Sequence, residues 1–255
     1  MILAVDIGNT NIVVGGFNED KIEFVERIST DASITELQYI VQFHALMDIY
    51  NIKMDQFTGA IISSVVPPLV STISNAIRKF FNIEPLVVGP GIKTGIHIQM
   101  DNPATVGADL IVNAVAGLEK YGYPLIMIDM GTATTISVID DTKKYIGGTI
   151  MPGVKVSLDA LVNSTSQLPK IALEAPSRIV GRNTIEGMKS GIVMGQAASM
   201  DGMIDRIFDE LGYETKIVAT GGLASIIIPN CKHDIIIDDE LTLNGLKIIY
   251  EKNRA

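Results

Sequence analysis

Twice in this chain a short apolar run ends on an aspartate standing two residues before a glycine, and a second apolar run follows directly. In the first copy Ile2 to Val5 leads into Asp6-Ile7-Gly8-Asn9-Thr10-Asn11 and then Ile12 to Phe17. In the second, Leu125 to Ile128 leads into Asp129-Met130-Gly131-Thr132-Ala133-Thr134-Thr135 and then Ile136 to Ile139. Each copy reads as strand, tight turn, strand, since β-rich runs flank a cluster of glycine, amide and hydroxyl residues. Aligning Asp6 with Asp129 brings Gly8 onto Gly131, Ile12 approximately onto Thr135 and Val14 onto Ser137, about half a chain apart. Self-similarity at that spacing marks a duplicated module. The chain is therefore expected to form two related domains, 1–116 and 117–255.

The stretches between the copies alternate in type. Helical spacing appears at Ile34, Leu37 and Val41, at Leu69, Ile73, Ile77 and Phe80 after Pro67-Pro68, and at Val106, Leu110, Ala114 and Leu118 after Asn102-Pro103. Strands are predicted from Ala60 to Val66 and from Leu86 to Val88, and beyond the second copy at Tyr145 to Met151 and Lys216 to Ala219. A long helical stretch runs from about Thr184 to Leu211, apolar on more than one face, with a break at Gly191 and Gly195 as the alternative, and a last helix spans about Leu241 to Lys252. This is an α/β chain with no linker of low complexity between its halves.

Composition narrows the function. A net charge of −9 without a basic stripe argues against nucleic acid and anionic membrane surfaces as partners. No uncharged apolar run approaches the roughly 18 residues that span a bilayer, and the amino-terminal residues lack the basic region of a secretory signal. A cytoplasmic protein is expected. The single Cys231 and the scattered His44, His97 and His233 do not make a thiolate or histidine metal site. A mean hydropathy of +0.33 with little aromatic content gives a weak expectation of a homodimer.

Paired Asp-x-Gly turns suit a polyphosphate. Glycine lets the backbone approach an anion, backbone N–H groups and Thr or Asn side chains donate to it, and aspartate can hold the hard cation that offsets the phosphate charge. A third segment, Thr220-Gly221-Gly222-Leu223, follows a strand and opens a helix whose amino end can face a nucleotide. In this order the three segments resemble the acetate and sugar kinase, Hsp70 and actin superfamily. That resemblance implies two ribonuclease-H-like, actin-like ATPase domains with a nucleotide cleft between them.

Finer similarity covers nearly the whole chain. Asp6 to Asn11, Ser63-Ser64-Val65-Val66-Pro67-Pro68, Asp101 to Asp109, Asp129 to Thr135, Gly147-Gly148-Thr149-Ile150-Met151-Pro152-Gly153, Asn183-Thr184 and Leu241 to Leu246 resemble type III pantothenate kinases. The resemblance implies phosphorylation of the primary hydroxyl of pantothenate, the first step toward coenzyme A, with ATP, Mg²⁺ and a monovalent cation, K⁺ or NH₄⁺, in a homodimer. It assigns Asp6, Gly8, Asn9, Thr10 and Asn11 to a first phosphate loop, Asp6 also to magnesium, and Gly131, Thr132, Ala133 and Thr134 to a second. It gives Asp129 the monovalent cation, Gly221 and Gly222 the adenosine, and Gly107, Ala108 and Thr184 the pantothenate. Asp109 matches the catalytic base, which orients the attacking hydroxyl and accepts its proton.

Two positions depart from the family. Leu110 stands where arginine is usual and Met100 where tyrosine is usual, both in the expected acceptor pocket. Lys93, Lys155 and Arg182 are alternative cations for the anionic acceptor. These departures leave open a paralogue with weakened or changed acceptor specificity, and a nonenzymatic accessory regulator on the same scaffold.

Overall fold

The structure, a computed structural model, describes residues 1–254. In chain order the elements are β1 (Ile2–Ile7), β2 (Asn11–Asn18), β3 (Lys21–Ser29), α1 (Glu36–Tyr50), β4 (Gly59–Ser64), α2 (Pro67–Phe81), β5 (Leu86–Val87), β6 (His97–Ile98) and α3 (Ala108–Tyr121). They continue with β7 (Leu125–Met130), β8 (Ala133–Ile139), β9 (Lys144–Pro152), α4 (Val154–Asn163), α5 (Thr184–Lys189), α6 (Gly195–Leu211), β10 (Lys216–Thr220), α7 (Ala224–Ile227), β11 (Ile236–Ile237) and α8 (Leu241–Asn253).

The duplication is visible in the sheets. One is ordered β3-β2-β1-β4-β5, and the other, read from the same end, runs β9-β8-β7-β10-β11 with β6 added beyond β9. In both, three antiparallel strands are followed by two parallel ones. β1 and β7 even share one burial pattern, buried throughout except at the fifth residue, which is Asp6 in one and Asp129 in the other.

Beyond the turn, the expected alignment is off by one residue. Ile7 pairs with Ile12 across Gly8 to Asn11, whereas Met130 pairs with Thr134 across only Gly131 to Ala133. Ile12 therefore corresponds to Thr134, and the buried Val14 to the buried Ile136 rather than to Ser137. Strand alternation enforces this shift, since the other alignment would put a core residue opposite a polar one.

Each sheet packs helices on a core face. In the first unit Leu3, Val5 and Ile7 join Ile12, Val14, Ala60 and Ile62 under Tyr39 and Phe43 of α1 and Ile73 and Ile77 of α2. On the opposite face Ile2, Ala4, Phe17 and Ile61 pack with Val112 and Val115 of α3 and Leu243, Leu246 and Ile249 of α8. In the second unit Ile126, Ile128, Met130, Ile136 and Ala219 meet Leu158 of α4, Met188 of α5 and Ala197, Met200 and Ile204 of α6.

Several expectations are corrected here. The stretch from Leu241 onward was expected in the second domain but belongs to the first compact unit, with Met1–Ile96 and Asp101–Ala116, while His97–Met100 joins Gly117–Glu240. The cause is the apolar stripe of α8, which is buried against β1, β4 and α3. Leu37 and Val41 do not face the core. They are 68% and 60% exposed, because α1 is apolar on both sides and buries Tyr39, Phe43, Leu46 and Met47 instead. The long helix from Thr184 to Leu211 is continuous, with a π-helical turn at Ser190–Met194 joining α5 to α6. Gly191 lies within that turn and Gly195 opens α6 directly after it, so neither glycine breaks the helix.

Close approach of α8 to α3 depends on Gly245, where an added Cβ would lie 2.1 Å from the Val112 carbonyl oxygen. Backbone cannot yield as a side-chain tip can. Gly245→Ala is expected to cost about 1 to 3 kcal/mol through overpacking, read as a lower urea midpoint with an unchanged m-value.

Candidate active site

The first loop is closed by hydrogen bonds rather than by its side chains. Gly8 N–H donates to the Asn11 carbonyl at 3.0 Å, and Thr30, just past β3, ties the loop from outside. Its hydroxyl donates to the Gly8 carbonyl at 2.6 Å and its N–H to the Thr10 carbonyl at 3.0 Å. A side chain at Gly8 would stand 2.9 Å from the Asn11 oxygen. The Gly8 amide is thus spent inside the turn, Asn9, Thr10 and Asn11 are exposed, and Asp6 is half-buried.

In the second loop Gly131 N–H donates to the Ala133 carbonyl at 3.1 Å, and Gly131 and Thr132 are exposed. Thr134, expected among the phosphate contacts, is fully buried with its hydroxyl unpartnered. It points to the core side because it occupies the position of Ile12. Gly153 backs this loop: its N–H donates to the Thr132 carbonyl at 3.2 Å, and a Cβ there would come within 2.2 Å of the same oxygen. Neither Thr30 nor Gly153 was assigned a role from sequence. The motif ending in Gly153 was visible, whereas Thr30 carried no signal.

The turn at Gly221 meets the second loop within the same unit. Gly221 has φ +98°, a left-handed conformation that favours glycine, and an added Cβ would lie 2.8 Å from Asp129 Oδ1 and 2.6 Å from the Met130 nitrogen. The Asp129 carboxylate also lies 3.5 Å from where a Cβ on Gly131 would be. Asp129, Gly131 and Gly221 therefore form one cluster, beside the exposed Gly222. The expected helix amino end is not much of a dipole, because α7 is a single turn.

Asp109 sits in the first turn of α3, and its carboxylate folds back over Gly107, accepting the Leu110 N–H at 2.8 Å. A Cβ on Gly107 would lie 2.4 Å from Asp109 Oδ1. Burial raises the pKa of Asp109 above the ordinary carboxylate value, against the lowering effect of the backbone hydrogen bond from Leu110. Of the expected acceptor residues, Gly107, Ala108, Asp109 and Leu110 lie in the first unit and are half-buried. Met100 and Thr184 lie in the second and are exposed.

The donor set fits a hard cation carried with a nucleotide. Among the described residues no three His, Cys, Asp or Glu side chains group into a metal cage, and magnesium typically takes one or two carboxylates together with substrate phosphates and water. The half-buried Asp6 offers one such carboxylate. A cavity of about 470 Å³ in the second unit, lined by Tyr121, Tyr123, Phe208, Lys216 and His233 among others, contains none of the expected site residues. It lies at the opening ends of β7 and β10, whereas Asp129 and Gly221 lie at their closing ends.

Residues 2–206 match the family model described as type III pantothenate kinase. The chain is 45% identical to the type III pantothenate kinase of an Exiguobacterium species, covering all of both chains. It is 44% identical to that of Halalkalibacterium halodurans, over 99% of this chain and 100% of that one. Among solved structures it is similar to a protein from Campylobacter jejuni described as a Baf family transcriptional activator, with TM-score 0.60, 19% identity and coverage of 99% and 98%. It is also similar to a protein from Sinorhizobium meliloti described as a 2-dehydro-3-deoxygalactonokinase, with TM-score 0.61, 11% identity and coverage of 99% and 97%. At those identities the structural likenesses establish the fold, a duplicated ribonuclease-H-like α/β architecture.

The surroundings of Asp109 fix a pH dependence. Since its native pKa lies above that of the unfolded chain, folding takes up a proton between the two values, so stability from this group is present at low pH and lost as pH rises through that window. Asp109→Asn is expected to raise the thermal midpoint at neutral pH, and the difference should vanish once acid protonates Asp109 in both states.

Proposed function

The chain belongs to the type III pantothenate kinase family, and from that membership we propose how its own residues carry the transfer of the γ-phosphoryl group of ATP to the primary hydroxyl of pantothenate. Asp109 carries the acceptor side. It orients the hydroxyl and takes up its proton as the oxygen bonds to the γ-phosphorus and the bond to the bridging oxygen of ADP breaks. In a loose transition state the placement of the nucleophile matters more than the strength of the base. The raised pKa of Asp109 nevertheless improves it as a proton acceptor over an ordinary exposed carboxylate.

Asn9, Thr10 and Asn11 bind phosphate oxygens from the first loop, and Gly131, Thr132 and Ala133 do so from the second. Gly221 and Gly222 accommodate the adenosine. Asp6 would hold magnesium and Asp129 a monovalent cation, and bound there these ions offset the negative charge of the phosphates. The single observation that carries this reading is the same Asp-x-Gly turn at the same strand position in both units.

Acceptor recognition is weaker than is usual for the family. Leu110 offers no charge to the pantothenate carboxylate, and a lost charge-assisted hydrogen bond is worth about 1.5 to 3 kcal/mol, or about tenfold to a hundredfold in affinity. Arg182 adjoins Asn183 and Thr184, the latter linked to the acceptor by the family resemblance, and is exposed, so it is the cation we assign to compensate. Purified protein assayed with magnesium and potassium or ammonium is expected to form phosphopantothenate with a high pantothenate KM. Leu110→Arg should lower that KM about tenfold or more with little change in kcat, and Asp109→Asn should abolish most turnover. Absence of product from the wild-type chain would overturn the reading.

A homodimer in the cytoplasm completes the proposal. Ile150, Ile179, Val180 and Ile185 of the second unit are exposed, an apolar set that a second copy would cover. No helix among the described residues is long and apolar enough to cross a membrane. Light scattering is expected to give about twice the 27.5 kDa chain mass, and a monomer mass at micromolar concentration would refute the dimer.

A further inference from the structure

We propose that Ser63 is a positioning residue for the Asp6 carboxylate, through a hydroxyl that has no other use in the fold. Parallel pairing of β1 with β4 sets Asp6 directly beside Ser63. Alternation along the strands places Asp6 with Ile2 and Ala4, and Ser63 with Ile61, on one face of the sheet. Ser63 is 0% exposed, and its Oγ has no hydrogen-bond partner. A buried hydroxyl without a partner costs stability, and alanine would fill the place without that cost. The rest of β4 is glycine, alanine, isoleucine and a terminal serine, so only this buried place on the strand carries a hydroxyl.

The second unit repeats the arrangement independently. There the parallel pairing of β7 with β10 sets Asp129 beside Thr220, which is 4% exposed. Both copies of the module therefore keep a buried hydroxyl next to the acid, after runs of aliphatic residues. A serine O–H at this register position can turn to donate to a carboxylate oxygen, or to a water shared with a cation on that carboxylate, and so hold one oxygen while the other faces the ligand.

The inference rests on the reading of Asp6 as the magnesium-bearing carboxylate, and the experiment separates the two. Wild-type, Ser63→Ala and Ser63→Thr chains are compared by ligand-free thermal unfolding and by calorimetric titration of ATP at varied Mg²⁺. The threonine variant copies the residue at position 220. Ser63→Ala is expected to unfold at the wild-type temperature or above. It should need fivefold or more Mg²⁺ for half-maximal ATP binding at an unchanged pantothenate KM, and Ser63→Thr should restore the wild-type requirement. A lower unfolding temperature with an unaltered Mg²⁺ requirement would make Ser63 merely structural and overturn the proposal, as would an Ala variant indistinguishable from wild type. Wild-type ATP binding that ignores Mg²⁺ would instead remove the assignment of Asp6, and this inference with it.

Discussion

A carboxylate one residue from the end of a strand that is otherwise buried governs this molecule. β1 and β7 each lie between an antiparallel and a parallel neighbour, and every residue but the aspartate is buried. A charge in such a strand is tolerable only where it can reach solvent, a ligand or a cation. The strand register is therefore set by two demands that agree. Sliding β1 by one residue would drive Asp6 into the core beneath α1 and α2 and move Leu3, Val5 and Ile7 to the face packed by α3 and α8. The turn that follows must begin at once, and a glycine two residues on lets it do so. Fold and site are determined by the same few residues, which is why duplication of one carried the other.

The copies have since diverged in a way that the turns explain. The first loop retains one more residue than the second and exposes Asn9, Thr10 and Asn11, whereas the second is braced from behind by Gly153 and beside by Gly221. A longer loop offers more side-chain donors. A shorter loop against two glycines offers backbone, and lets a ligand approach more closely. The burial of Thr134 follows from the same shortening, since it moves into the place that Ile12 fills in the first unit.

Much of this was legible from the chain itself because it depended on local pattern. The twin turns, the strands around them and the helix opening at Pro67 all follow from runs of a few residues. What escaped depended on partners distant in sequence. Nothing near Leu241 says that α8 packs on β1 and α3 rather than within the second unit, and only its contacts with Ile2, Ile61 and Val112 decide it. The exposed face of α1 misled because Leu37 and Val41 keep helical spacing as well as Tyr39 and Phe43 do, and periodicity cannot choose between two apolar faces. Asp109 was readable as a candidate base from its motif, but its raised pKa is a consequence of burial that no spacing reports.

Two destabilising groups of the first unit lie on the face that carries Asp6. Asp109 is an acid whose burial opposes its ionised form, and Ser63 is a hydroxyl buried without a partner. Both lie on the side of the first unit that carries Asp6 and its loop, away from the core beneath α1 and α2. Other buried polar side chains divide: Asp238 takes hydrogen bonds from Lys120 and Tyr121, and Asp201 from the backbone of Lys232 and His233, whereas Tyr39 Oη, Gln42 Oε1, Thr134 Oγ1 and Thr149 Oγ1 lack partners as Ser63 Oγ does. Replacement of Asp109 by asparagine or of Ser63 by alanine would relieve each penalty, which marks both as candidates for the site rather than for the fold.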